Sequence, residues 1–90
     1  MSINRQVKII NKLGLHARAA SKLAKLSQKF NATITLELDG NNADANSIMG
    51  LMLLAGAQGK VVNVIASGVD AELALNDVCQ LFSDKFDENE

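Results

Sequence analysis

The chain contains one histidine, His16, in the segment Gly14-Leu15-His16-Ala17-Arg18-Ala19-Ala20. Upstream the apolar residues roughly alternate, and downstream they recur at helical spacing, so His16 falls at the start of a helix. The first turn of a helix has unpaired N–H groups and a partial positive charge. A neutral imidazole nitrogen is a nucleophile near neutral pH, and its phosphoramidate stays reactive enough to pass the group on. His16 is therefore placed to carry a phosphoryl group, with the backbone N–H groups of Ala17 and Arg18 as oriented donors to its oxygens. The Arg18 guanidinium adds a planar partner for the same oxygens. Small side chains at Ala17, Ala19 and Ala20 leave the imidazole open to another protein's active site. Taken singly, His16 reads as a solvated loop residue and Arg18 as an ordinary helix charge; only their conjunction at one helix start points to chemistry.

Two further features surround this segment. Arg18, Lys22, Lys25 and Lys29 follow at spacings of four, three and four residues, which puts them on one helix face leading away from His16. Such a stripe is commonly a solvated face, but beside the sole histidine of a slightly acidic chain it can also steer an acidic partner. Ser47 precedes the apolar run Ile48–Leu54 and reads as the N-cap of a two-turn helix. That run has too many apolar residues for one buried stripe, so some of Ile48, Met49, Leu51 and Met52 are expected at the surface as a docking patch. A phosphate on Ser47 would add charge to that patch.

The elements that must position these residues follow from pattern and punctuation. A partly exposed strand is expected from Ile3 to Ile10, with Arg5 breaking its apolar side. A helix is expected from Ala17 to Phe30, with Ala20, Leu23, Ser27 and Phe30 facing the core. Thr33–Leu38 alternates strictly and is followed by the turn pair Asp39-Gly40 and a short polar return strand over Asn41–Ala45. Val61–Ala66 reads as a buried strand. Asp70 and Glu72 open a last helix whose core stripe includes Ala74, Leu75, Val78, Leu81 and Phe82. The charged end, Asp84–Glu90, is expected to fray as a solubilising tail. The chain is then one domain over residues 1–90, of class α+β, with one sheet covered on a single face.

Bulk composition narrows the function. Ninety residues leave no room for a deep catalytic cleft, so the chain more naturally presents a site to a larger partner. A net charge of −1, with three Phe, no Tyr and no Trp, argues against nucleic acid and anionic membrane as partners. The single cysteine, Cys79, excludes an intramolecular disulfide and reads as a small buried hydrophobe. One His and one Cys far apart give no metal site. No apolar run reaches membrane-spanning length and no signal pattern opens the sequence, so a cytoplasmic setting is expected.

Gly14-Leu15-His16-Ala17-Arg18, together with Asn46-Ser47-Ile48-Met49-Gly50 and Ala66-Ser67-Gly68, resembles the HPr family of histidine phosphocarriers of the phosphotransferase system. Asn11-Lys12-Leu13-Gly14 with Ala45-Asn46-Ser47, and the ending Leu81-Phe82…Phe86-Asp87-Glu88, resemble its nitrogen-related branch (NPr); the first is shared with some sugar-branch members, so the ending carries more of the choice. The resemblance implies an open-faced β-sandwich: a four-stranded antiparallel sheet covered on one face by three helices, in the order βαββαβα. It implies that His16 is phosphorylated on Nδ1 by an enzyme I, which takes the group from phosphoenolpyruvate, and passes it to an enzyme IIA. Arg18 would contact the phosphoryl group, and Lys22, Lys25, Ile48, Met49, Leu51 and Met52 would meet the partners. The carrier would need no cofactor, have no catalytic pocket of its own, and act as a monomer. A serine kinase acting on Ser47 is the implied regulator in some bacteria. A regulatory binding module working through its phosphorylation state is the reading from another class. One position departs from the family: Ala19 stands where proline is usual, which relaxes a preset first turn while keeping a good helix former.

Overall fold

Alternation of apolar and polar residues produces four strands, and helical periodicity produces the helices that cover them. The computed structural model describes residues 2–90. In chain order these are β1 (Ser2–Lys8), α1 (Ala17–Ser27), β2 (Thr33–Leu38), β3 (Asn41–Asp44), α2 (Ile48–Leu53), β4 (Val61–Ser67) and α3 (Ala71–Ser83). The strands form one sheet in the order β1-β4-β2-β3, with every neighbouring pair antiparallel. The two polar strands, β1 and β3, are the edges, where unpaired backbone groups can meet water.

Register decides which residues meet the helices. Ile34 pairs with Ala66 and Leu36 with Val64, and all four side chains are buried. On the opposite face Thr35 pairs with Ile65 and Glu37 with Asn63, and this face carries no helix. Ile3 and Val7 of β1 share the covered face and pack on the core. Arg5, between them, reaches sideways to α3, where its guanidinium donates to Asn76 Oδ1 at 3.1 Å. The breach noted in the sequence is thus used to tie an edge strand to a helix. The thiol of Cys79 lies in the same region, and burial pushes it up despite the nearby Arg5 charge. The three helices close the core with Leu23 and Ala20 from α1, Leu51 from α2, and Val78 and Phe82 from α3.

The first strand runs Ser2–Lys8, ending short of the expected Ile10, and two larger expectations need correction. Helix α1 ends at Ser27, short of Phe30, because Lys29 and Phe30 turn their N–H groups to the carbonyls three residues back, at 3.1 and 3.4 Å. That tighter bonding unwinds the helix and leaves Phe30 half-buried at its edge. The larger correction is the C-terminal end, which does not fray. After α3 the chain makes a left-handed turn over Lys85–Asp87, with φ of 56°, 54° and 63°, and folds back toward α1. Each such residue costs roughly 1–2 kcal/mol in a non-glycine side chain. The turn persists because it sinks Phe86 completely, with its ring centroid 4.9 Å from that of Phe82. Lys22 Nζ then donates to the Phe86 carbonyl at 2.8 Å, and the Lys12 N–H to the Glu90 carbonyl at 2.6 Å. A single aromatic residue thereby overrides the charged composition of the tail.

Candidate functional site

The site is built by the loop between β1 and α1. Gly14 adopts φ +65°, and a Cβ there would strike the carbonyl oxygen of Gly56, so the turn excludes other residues on two counts. The buried Asn11 closes the turn: its backbone carbonyl accepts from the Gly14 N–H at 3.2 Å, and its Nδ2 donates to the Gly14 carbonyl at 2.9 Å. Leu15 is then pinned, with its side chain buried and its N–H donating to the Gly56 carbonyl at 2.8 Å. The next residue, His16, is forced out to the rim.

His16 is the N-cap of α1, with extended φ/ψ of −77° and 176°. Its carbonyl accepts the Ala20 N–H at 2.9 Å, but its side chain makes no capping bond. The N–H groups of Ala17 and Arg18 consequently have no backbone partner among the described residues, and both residues are exposed. Ala19 is fully buried under the first turn, and the helix is regular without proline there.

The imidazole is turned toward the C-terminal tail. Its Nε2 is hydrogen-bonded to Glu88 Oε2, while the other carboxylate oxygen of Glu88 accepts from Asn11 Nδ2 at 3.2 Å. Burial pushes the Glu88 carboxyl up, but the hydrogen bonds from His16 and Asn11, with the nearby Arg18 charge, outweigh it. The net effect holds that carboxyl below its ordinary value. An ionised carboxylate only accepts, so Nε2 carries the proton. Nδ1 has no hydrogen-bond partner among the described residues. A shallow depression of about 240 Å³ lies beside the ring, lined by Leu13, Leu15, His16, Ala55, Gly56 and Ala57. It is too open to enclose a substrate, and it suits contact with another macromolecule.

The remaining candidates divide. Arg18 is exposed at the same helix start as His16 and acts on Glu88 through its charge. Lys22 is occupied by the tail, bonded to the Phe86 carbonyl and 3.4 Å from Asp87 Oδ2. Lys25 stays exposed; with Lys29, Leu26 and Leu81 it borders a second shallow groove that does not reach His16. Ser47 is the N-cap of α2, its Oγ accepting from the Gly50 N–H at 3.0 Å. On α2, Ile48, Met49 and Met52 are exposed, as a docking patch requires. Leu51 is not: it is 0% exposed, because it is the residue this short helix turns to the core, followed one turn on by Leu54 just past the helix end. Its place on the surface is taken by Leu53, which is 80% exposed, and by Leu13 of the His16 loop.

Glu88, Asn11 and Phe86 were missed as parts of this site. Phe86, four residues after Phe82 in an otherwise charged tail, is the one signal that was available. Glu88 is marked only as part of the ending Phe86-Asp87-Glu88, which carries no sign of a contact with His16. Among the described residues no three His, Cys, Asp or Glu side chains are grouped as metal ligands, and no helix is long and apolar enough to cross a membrane.

A family described as the PTS HPr component phosphorylation site matches residues 3–84. The chain belongs to the HPr family. It is 48% identical to the phosphocarrier protein NPr of Shewanella violacea, over 96% of this chain and 94% of that one. It is 41% identical to the phosphocarrier protein HPr of Xylella fastidiosa, over 97% and 98% of the two chains. The crystal structure of HPr-C-His from Thermoanaerobacter tengcongensis superposes with a TM-score of 0.93 at 39% identity, covering 98% of this chain and 99% of that one. As an HPr-family member the protein is a phosphocarrier of the phosphotransferase system, a component that carries a phosphoryl group without being an enzyme. HPr proteins work with an enzyme I and an enzyme IIA.

Proposed function

We propose that this carrier accepts its phosphoryl group on Nδ1 of His16, from an enzyme I charged by phosphoenolpyruvate, and hands it to an enzyme IIA. The observation that carries this reading is that His16 opens α1 without capping it. The Ala17 and Arg18 N–H groups are left to receive anionic oxygens, and Nδ1 faces no partner among the described residues. Arg18 supplies the mobile positive charge. Met49, Met52, Ile48 and Leu53 form the apolar surface that meets the partner, and Lys25 supports the approach of an acidic one. One copy of the chain in a reducing cytoplasm is sufficient for each encounter. Ser47, exposed at the head of the same patch, is where a serine kinase would interfere with docking.

The nitrogen-related branch is the preferred assignment, resting on the ending Phe86-Asp87-Glu88 and the 48% identity to an NPr. The sugar branch is the second reading, favoured by the 41% identity to an HPr. Incubation with enzyme I and labelled phosphoenolpyruvate tests the site: the wild type labels and His16→Ala does not. Equal labelling of the two would end the proposal. Comparing transfer rates from a nitrogen-type and a sugar-type enzyme I separates the branches.

A further inference from the structure

The C-terminal tail brings a carboxylate to the one imidazole of the chain, and it does so through several independent anchors. Phe86 is sunk in the core, Lys22 holds its carbonyl, and Lys12 holds that of Glu90. Between these anchors Glu88 has one oxygen on His16 Nε2 and the other on the buried Asn11, which itself closes the Gly14 turn. The loop that presents His16 and the tail that contacts it are thus one hydrogen-bonded unit.

We propose that Glu88 is a positioning residue for phosphoryl transfer: by accepting the Nε2–H of His16 it fixes the ring as the tautomer whose Nδ1 is an unprotonated nucleophile. The inference rests on His16 being the phosphoryl acceptor. The two ring nitrogens point away from each other, so a carboxylate on Nε2 leaves the approach to Nδ1 clear. In the forward step the Nδ1 lone pair forms the N–P bond, while the bond from phosphorus to the donor breaks and its electron pair leaves with the donor. The ring keeps its Nε2 proton and becomes a cation, and the Glu88 carboxylate balances that charge. When an acceptor takes the phosphoryl group, the N–P pair returns to Nδ1 and the starting tautomer is restored. No proton need enter or leave during the cycle. Arg18 is then left to serve the phosphoryl oxygens, since the ring has its own counter-ion. Lys12 and Lys22 face Glu90 and Asp87 of the tail, at 3.4 Å each, and do not compete for Glu88.

The test pairs a spectroscopic readout with a kinetic one. Nitrogen-15 NMR of the unphosphorylated chain reports the His16 tautomer without any donor present. The wild type is expected to show Nε2–H alone; Glu88→Ala gives a mixture, and Glu88→Gln, whose amide oxygen still accepts, keeps the tautomer. In transfer from phosphorylated enzyme I, Glu88→Ala lowers kcat by about tenfold with KM unchanged. Glu88→Gln falls between Glu88→Ala and the wild type, because it restores the hydrogen bond without the charge. Glu90→Gln, in the same tail, changes neither readout. The proposal is overturned if Glu88→Ala keeps a pure Nε2–H tautomer, if it transfers as fast as the wild type or faster (the sign of a blocking strap), or if Glu90→Gln matches it. Labelling of His16→Ala would instead remove the acceptor assignment, an outcome distinct from all of these.

Discussion

The two short-loop helix starts of this molecule, at His16 and at Ser47, look alike in backbone and opposite in chemistry. Both N-cap residues are extended, with φ/ψ of −77° and 176° at His16 and −100° and 101° at Ser47. Ser47 spends its side chain on its own helix, accepting the Gly50 N–H. His16 turns its side chain to Glu88 and leaves the first N–H groups of α1 without a partner among the described residues. A capped terminus gains local stability and closes itself to anions. An uncapped one gives up that stabilisation, about 1 kcal/mol, and keeps an anion site open. In α1 the deficit is offset by tertiary contacts: the helix packs on α2 and α3, and its Lys22 bonds the Phe86 carbonyl of the tail.

If the tail is what compensates the open end, then removing its anchor should have the largest effect. Phe86→Ala is expected to lose about 3–5 kcal/mol in urea unfolding and to shift the His16 ring resonances as Glu88 leaves. Unchanged His16 resonances would show that the open end does not depend on the tail. Next comes the loop. Gly14→Ala should cost about 2–3 kcal/mol, since it combines a positive φ with a collision against Gly56. Gly40→Ala, at φ +84° with open space around its Cβ, should cost about 1 kcal/mol. Equal losses would mean that backbone conformation, not the Gly56 contact, sets the loop.

Smaller effects bear on the closed end. Ser47→Ala should lose about 1 kcal/mol and leave labelling at His16 unchanged. A fall in labelling would join the two helix starts into one site. The smallest effect is in acid. The Glu88 carboxyl is held below its ordinary 4.5, so the folded chain takes up that proton less readily than the unfolded one. The stabilisation from its docking is therefore complete above about pH 4.5 and is lost as pH falls through the lowered value. Tail amide resonances followed through an acid titration should report this in the wild type and not in Glu88→Gln. An identical response in both would detach Glu88 from the docking of the tail.

Much of the fold was readable along the chain because its signals are local. The alternation Thr33–Leu38 and the Asp39-Gly40 turn appear as β2 and its hairpin to β3 with the residues expected. Ser47 was recognised as a cap because a capping bond spans only three residues. Leu51 was misplaced on the surface because composition counts how many apolar residues a helix can bury, but not which ones. The tail was misjudged for a related reason: charge density argues for solvent, and one phenylalanine in the midst of it argues the other way with more free energy.

What the residues alone determined is the chemistry at hand: one imidazole at a helix start, a guanidinium two residues on, and an apolar helix with a serine at its head. Those are features of adjacent positions and need no knowledge of the rest of the chain. What only the tertiary structure decided is the state of that imidazole. Glu88 lies 72 residues from His16, and it arrives there through a left-handed turn that a buried ring makes affordable. A contact between such distant positions depends on the whole path of the chain between them, and no local pattern encodes it.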